Sequence, residues 1–140
     1  MEEGPAFYID THVFIYAFIN SEILGKLCRA IINNLHVGKI IGFTSCLTFD
    51  EFLWAVKKIK PDSFIDMGKD LLDLNIKFID VDKIILHHAL DMILKYKLKP
   101  RDAIHAATME LNNIYNLISE DSDFDRIDWI KRNGIMNFKI

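Results

Sequence analysis

Short apolar runs alternate with longer stretches of helical periodicity along the whole chain of 140 residues. This alternation predicts an α/β domain with a parallel sheet, because parallel strands need long crossover connections that are usually helices. No repeat, linker or low-complexity tract interrupts it, so residues 1–140 are predicted to form a single domain. The predicted strands span 6–9, 39–44, 76–81, 115–118 and 138–140, and the predicted helices span 13–19, 21–35, 45–59, 82–96 and 101–111, with a further helix opening at Pro61.

The composition excludes several classes of protein. Hydrophobic residues make up 51% of the chain, which is too many for a disordered segment. No apolar run reaches the ~18–20 residues that a membrane span requires. The start of the chain, Met1 to Gly4, is acidic where a secretory signal would be basic, so a cytoplasmic location is expected. Cys28 and Cys46 lack metal-ligand spacing and are expected to be buried thiols.

The formal net charge of −3 argues against a protein that holds nucleic acid by bulk electrostatics alone. It does not exclude nucleic acid as a substrate, because a bound cation can change the local sign of the field. Basic residues also occur in two groups, which are either solvated helix ends or contacts for phosphate. These groups are Lys57, Lys58 and Lys60, and Lys95, Lys97, Lys99 and Arg101.

Two aspartates come at or just after the ends of predicted strands. Asp10 directly follows the first strand, and Asp121 follows the fourth by three residues. Ligands of open α/β sheets bind at the carboxyl ends of the strands, so adjacent parallel strands would bring both carboxylates to one crevice. The alternative is that each aspartate only caps the helix that follows it.

Glu51 is predicted to lie among apolar side chains on its helix. The residues at i−4, i+3 and i+4 from it are Leu47, Trp54 and Ala55. A buried carboxylate is costly unless it is paired or bound to a metal ion. Glu51 is therefore a candidate metal ligand, and the alternative is a side chain that reaches water beside Trp54 or pairs with a lysine. A second apolar stripe on the same helix consists of Phe49, Phe52, Leu53, Val56 and Ile59.

Asp102 and His105 lie at the start of an alanine-rich helix that follows Pro100. An aspartate in the first turn interacts favourably with the helix dipole, which is the simplest explanation for Asp102. The alanines let this helix approach its neighbours closely, however, so a start that carries Arg101, Asp102 and His105 favours a site. His105 itself is expected to be a core histidine, or one that supports a ligand, rather than a ligand.

The densest cluster of acids is the turn from Ser119 to Asp125. Its alternating acids resemble those of a calcium-binding EF-hand loop, which requires Gly at position 6 and Glu at position 12. Counted from Asp121, these positions hold Arg126 and Arg132, so an EF-hand is excluded. A solvated face and a part of a shared site are the two remaining interpretations.

Four converging carboxylates would form an oxygen-rich site of the kind that Mg²⁺ or Mn²⁺ prefers. Two such ions about 4 Å apart can clamp an in-line displacement at a phosphoryl group. The chain has no nucleophile elbow, no phosphate-binding glycine loop and no dinucleotide-binding fingerprint. A metal-dependent phosphodiesterase is therefore the chemistry that these residues support best.

Four segments, taken in order, resemble the motifs of PIN-domain ribonucleases. They are YIDTHVFIYAF (8–18), TSCLTFDEFLWAV (44–56), LKPRDAIHAATM (98–109) and LISEDSDFDRI (117–127). No single motif is specific, but their order, their spacing and the total length all match, over essentially the whole chain. By size and by its RDAIHAA sequence, the chain is most similar to the VapC-like toxins of toxin–antitoxin pairs.

The resemblance implies a three-layer α/β/α domain with a parallel sheet of order 3-2-1-4-5. It also implies an endoribonuclease that depends on Mg²⁺ or Mn²⁺, forms a homodimer and is inhibited by a cognate antitoxin protein. Carried over by position, the catalytic and metal-binding acids would be Asp10, Glu51, Asp102 and Asp121. The auxiliary residues would be Thr11, Ser119 and Asp123, and the RNA-binding residues would be Arg101 and Lys99.

Two other functions stay open from the sequence. A phosphatase that uses a phospho-aspartate needs a second Asp two residues after the nucleophile, and His12 occupies that position after Asp10. A catalytically silent PIN fold that only binds RNA or a protein would not need four acids. Both alternatives are therefore less favoured than the nuclease.

The apolar content also predicts exposed hydrophobic patches. Phe14, Phe18, Phe52 and Trp54 lie close in sequence to the candidate acids, and one small core cannot hold all such side chains. An exposed apolar patch usually marks a partner surface. We expect one patch to bind a second copy of the chain and another to bind an antitoxin helix.

Overall fold

The structure is a computed structural model that describes residues 4–139. Its centre is a five-stranded sheet in the order β3-β2-β1-β4-β5, and all four strand pairs are parallel. The strands are β1 (Ala6–Ile9), β2 (Ile41–Ser45), β3 (Lys77–Ile79), β4 (Asn116–Ile118) and β5 (Lys131–Asn133). The predicted parallel sheet and its predicted strand order are therefore confirmed.

Helices cover both faces of this sheet. They are α1 (Thr11–Ile19), α2 (Ile23–His36), α3 (Cys46–Ile59), α4 (Phe64–Asp73), α5 (Lys83–Tyr96) and α6 (Pro100–Leu111), and a 3₁₀ turn spans Ser122–Arg126. No helix among residues 4–139 has the length and apolar character needed to cross a membrane.

Neighbouring residues of the strands belong to two different hydrophobic cores. Tyr8 and Leu117 pack with α5 and α6, whereas Ile9 and Ile118 pack with the helices α1 to α4. This division follows from the strand geometry, because successive side chains of a strand point to opposite faces of the sheet. The result is the three-layer α/β/α architecture that the sequence predicts.

The last strand differs from the prediction. It was expected at 138–140, but β5 is formed by the polar segment Lys131–Asn133, and residues 138 and 139 are not in a strand. Ile140 lies outside the described residues. An edge strand needs only backbone pairing on one side, so its sequence need not be apolar. Phe138 instead packs edge-on against Phe7, with the ring centroids 5.3 Å apart.

Some of the cysteines and aromatic residues named in the sequence analysis are buried, and others are exposed. Cys28 is buried as predicted, but Cys46, the first residue of α3, is exposed. Phe14 and Phe52 are fully buried, whereas Trp54 is 59% exposed. The expectation that one core cannot take all the large apolar residues therefore holds for Trp54.

Replacing Phe52 by alanine should destabilise the domain strongly. Its side chain is fully buried and packs edge-on against Phe18, with ring centroids 5.2 Å apart. Truncation of such a residue removes apolar burial and leaves a cavity, which costs about 3–5 kcal/mol. Urea or thermal unfolding measures the loss.

Ile59→Ala is the matched control for Phe52→Ala. Ile59 lies on the same helix but is 54% exposed, so its truncation should change the free energy of unfolding by only about 0.5 kcal/mol. Equal losses for the two variants would contradict the packing described above.

Candidate active site

The four predicted acids line one cavity of about 270 Å³ at the carboxyl ends of the strands. Asp10 follows β1 and caps α1, and Asp121 caps the 3₁₀ turn after β4. Because β1 and β4 are neighbouring parallel strands, both aspartates lie at the same edge of the sheet. Glu51 reaches this edge from α3, and Asp102 reaches it from the first turn of α6.

The carboxylate of Asp10 is held by hydrogen bonds from both sides. The Thr11 backbone N–H donates to Oδ1 at 2.8 Å, and the Ser119 hydroxyl donates to Oδ2 at 2.7 Å. The same hydroxyl accepts a hydrogen bond from the Asp121 backbone N–H at 3.0 Å. Ser119 therefore fixes Asp10 relative to the turn that carries Asp121, and it does so from a fully buried position.

Glu51 is held by Thr11 and His105. The Thr11 hydroxyl donates to Oε1 of Glu51 at 2.9 Å, and Nε2 of His105 lies 2.6 Å from the same oxygen. Burial raises the pKa of Glu51, but the hydrogen bond and the charge interaction with His105 outweigh burial and lower this pKa below its usual value. Glu51 is therefore an ionised, hydrogen-bonded carboxylate at the wall of the cavity.

Three carboxylates form a closer group. Asp102, Asp121 and Asp123 each offer an oxygen, and these oxygens all lie within 4.8 Å of one another. Burial and the nearby charges of Asp121 and Asp10 raise the pKa of Asp102 to about 6. A cluster of negative oxygens at such short distances is what a hard divalent cation requires, so these residues fit Mg²⁺ or Mn²⁺.

Asp10 and Glu51 lie outside this closer group although they line the same cavity. Their oxygens are engaged by protein donors, whereas the group of three lacks a comparable number of donors. Asp123, which the sequence suggested as auxiliary, lies beside Asp102 and Asp121 in this group but is not among the residues that line the cavity. The other suggested auxiliary residues, Thr11 and Ser119, contact the acids directly.

The basic residues are distributed unevenly around the cavity. Arg101 lines it, whereas Lys99 is exposed at the start of α6 and is not among the lining residues. Lys58 and the exposed Trp54 line the cavity from α3, and His12 lines it from α1. The sequence analysis places Trp54 three residues after Glu51 and names Lys58 as a candidate phosphate contact, and both residues lie on the Glu51 side of the cavity.

Sequence reasoning missed Tyr8 altogether. Its hydroxyl lies 2.6 Å from Nδ1 of His105, behind the wall of the cavity. The strand period of two could have pointed to Tyr8, because it places residues 8 and 10 on the same face of the strand. His105 is buried between Tyr8 and Glu51, as expected for a histidine that supports the site.

Comparisons with known proteins show which family and which folds the chain is similar to. The model of the PIN domain family matches residues 7–130, a range that contains all four acids. The chain is 27% identical to Ribonuclease VapC2 of Methanocaldococcus jannaschii, over 94% of each chain. Its fold is similar to that of DNA-bound VapBC from Salmonella typhimurium, with a TM-score of 0.73 and a sequence identity of 17%. This similarity covers 96% of the present chain and 99% of the VapBC chain. The chain is also similar in fold to VapC20 of Mycobacterium tuberculosis, a sarcin-ricin loop cleaving toxin, with a TM-score of 0.70 at 13% identity, over 85% and 92% of the two chains.

The raised pKa of Asp102 predicts that the stability of the metal-free protein depends on pH. The folded chain holds this proton up to about pH 6, whereas the unfolded chain loses it near the usual value of 3.8. Stability is therefore lost as the pH rises from about 4 to 6. Asp102→Asn should abolish this loss, which is on the order of 1 kcal/mol after solvent screening. Thermal unfolding measured across this pH range tests it.

Asp91→Asn is the control for this measurement. Asp91 is exposed on α5, away from the acid cavity. The stability of Asp91→Asn should therefore depend on pH in the same way as that of the wild type. If Asp102→Asn keeps the same profile, repulsion among the clustered acids is not its cause.

Proposed function

We propose that this chain, which belongs to the PIN domain family, is an endoribonuclease that depends on Mg²⁺ or Mn²⁺ and hydrolyses phosphodiester bonds of RNA. The observation that carries the proposal is the cavity lined by Asp10, Glu51, Asp102 and Asp121, with Asp123 beside it. The relative named Ribonuclease VapC2 supports the activity. The similar VapBC structures support a role as the toxin of a toxin–antitoxin pair.

Asp102, Asp121 and Asp123 would hold the cation, and Asp10 and Glu51 would complete the acidic set. When bound, the cation supplies activation of a water molecule and neutralisation of phosphate charge. The protein's own part is to keep the carboxylates in place. Ser119 and the Thr11 N–H orient Asp10, so this side chain does not have to be ordered when substrate arrives.

Arg101 is the basic residue best placed to contact the RNA backbone. It lines the cavity beside Asp102, and its guanidinium suits bidentate contact with phosphate. Lys99 lies outside the cavity lining, so its contact would be with a more distant phosphate. Lys58 lines the opposite wall, on α3. Positive charges on both sides of the acids would help to hold a negatively charged strand across them.

RNA cleavage by the purified chain should require added Mg²⁺ or Mn²⁺ and should stop when a chelator is in excess. Asp102→Asn should lower turnover by about a hundredfold or more, because it removes a charge from the acidic group at nearly constant shape. Gel assays on RNA in metal-titrated buffer measure both effects. Asp91→Asn should cleave like the wild type.

Each alternative function has its own result in these assays. RNA binding without cleavage at any metal concentration would favour the silent binding module. Unchanged cleavage by the wild type in excess chelator would contradict the metal mechanism. Release of phosphate from phosphomonoesters, with RNA left intact, would favour the phosphatase.

The α5 surface supports the proposal of a homodimer. Ile84, Leu90 and Leu94 on this helix are 69%, 59% and 73% exposed. Beside them, α5 and α6 enclose a cavity of about 250 Å³ whose wall includes Leu86 and Ile104. Exposed apolar side chains grouped on one helix usually mark a surface that packs against a partner. We assign it to a second copy of the chain because it lies away from the acid cavity and would leave that cavity open.

A second apolar surface, on α3 and α4, supports the proposal of an antitoxin partner. Trp54, Ile65 and Leu72 are each more than half exposed. Trp54 also lines the acid cavity, so a helix laid on this surface would extend to the acids. A basic side chain of that helix could pair with the carboxylates and exclude the cation.

Leu90→Lys should convert the dimer into a monomer, because a charged residue in the centre of the α5 face would be buried without a partner. Sedimentation at micromolar concentration measures the change in mass. Leu72→Lys is the matched control, since it places the same charge on the equally exposed surface of α4. A wild type that sediments as a monomer would contradict the proposed dimer.

A further inference from the structure

A line of hydrogen-bonded side chains runs from the core of the domain to the acid cavity. Tyr8 on β1 is fully buried, and its hydroxyl lies 2.6 Å from Nδ1 of His105. His105 on α6 is 2% exposed, and its Nε2 lies 2.6 Å from Oε1 of Glu51. His105 and Glu51 both line the cavity, whereas Tyr8 lies behind them. Tyr8 is therefore connected to the site although it does not line it.

The hydrogen bond from His105 to Glu51 keeps its direction whatever the charge of His105, whereas the one between Tyr8 and His105 reverses. An ionised carboxylate only accepts, so the hydrogen between His105 and Glu51 belongs to Nε2. The hydroxyl of Tyr8 donates to Nδ1 of a neutral ring and accepts from Nδ1 of a protonated ring. In both states the imidazole is held at its two nitrogens, and Nε2 donates to Glu51.

Both donors to Glu51 act on the same oxygen. Among the described residues, His105 and the Thr11 hydroxyl donate to Oε1, at 2.6 and 2.9 Å. Rotation of the carboxylate would break both contacts in a largely buried place, where a lost hydrogen bond is costly. Oε2 is thereby left for the cavity that Glu51 lines.

The same line connects three elements that carry acids. Tyr8 stands two residues before Asp10 on β1, and His105 stands three residues after Asp102 on α6. Glu51 belongs to α3, which packs on the face of the sheet opposite to α6. A hydrogen-bonded path from β1 through α6 to α3 therefore limits how far these acids can move relative to one another.

We propose that Tyr8 and His105 are positioning residues of the nuclease. Tyr8 holds the His105 ring, and His105 together with Thr11 occupies Oε1 of Glu51, which leaves Oε2 towards the space where cation and phosphate would bind. This role rests on the proposed function, because it concerns the orientation of an acid for that reaction. Neither residue needs to touch RNA.

Tyr8→Phe tests the role with the smallest change, since it removes the hydroxyl and keeps the ring in the core. We expect kcat to fall by roughly 10- to 100-fold, as for other residues that orient ligands, with KM nearly unchanged. Thr108→Val is the matched control. It removes a fully buried hydroxyl from α6, one that donates to the Ile104 carbonyl at 2.7 Å, and it should leave kcat near the wild-type value.

A double-mutant cycle shows whether Tyr8 acts through Glu51. In the Glu51→Gln background, Tyr8→Phe should lower kcat no further, because the carboxylate that it positions is already gone. Independent, multiplying losses would overturn the proposal. His105→Gln keeps an N–H donor, so it should retain more activity than His105→Ala, and equal losses would count against positioning.

Nitrogen NMR of the metal-free protein supplies a readout that does not need activity. The His105 ring should carry a slowly exchanging hydrogen on Nε2, and Tyr8→Phe should shift the Nδ1 resonance while Thr108→Val does not. A wild type that cleaves RNA, with Tyr8→Phe matching Thr108→Val in kcat, would overturn the positioning role alone. A wild type that cleaves no RNA, despite the expected NMR signals, would contradict the proposed function and the role that rests on it.

Discussion

Repulsion among carboxylates is the constraint on which the arrangement of this site depends. Asp10, Glu51, Asp102 and Asp121 share one cavity, and Asp123 approaches two of them closely. Such a group costs free energy unless each charge is compensated by donors, by protonation or by a cation. Burial, and after it the charges of Asp121 and Asp10, raise the pKa of Asp102, so protonation is one way in which the metal-free group lowers this cost.

The compensation that the protein does provide falls on two of the acids. Asp10 accepts from Ser119 and Thr11, and Glu51 accepts from Thr11 and His105. These two carboxylates are therefore oriented before anything binds. The remaining group has fewer donors and keeps its charge available, which is the property expected of cation ligands. In the proposed nuclease, the acids that are oriented in advance and the acids that would hold the cation are thus different residues.

The topology of the sheet allows one small domain to bring both kinds of acid to the same cavity. Parallel pairing of β1 with β4 brings the ends of both strands together, and the crossover helices supply Glu51 and Asp102 from opposite layers. The polar contacts occupy one edge of the sheet, so the two cores on its faces stay apolar. The apolar side chains left outside these cores lie on α5 and on α3 with α4, where partners can cover them.

Local patterns were enough to predict the parallel sheet and its helices, and to single out Asp10 and Asp121 after strands, Asp102 at a helix start and Glu51 within a helix. They succeeded because strand period, helix period and capping act over a few residues. The last strand was misplaced, since Lys131–Asn133 is defined by its pairing with β4 and not by its own apolar character. Cys46 was wrongly expected to be buried because helix position alone does not determine burial.

Only the tertiary structure decided that Tyr8 meets His105, 97 residues away, and that Asp123 joins Asp102 and Asp121. Contacts of this kind depend on how whole layers pack, and no local spacing in the sequence encodes them.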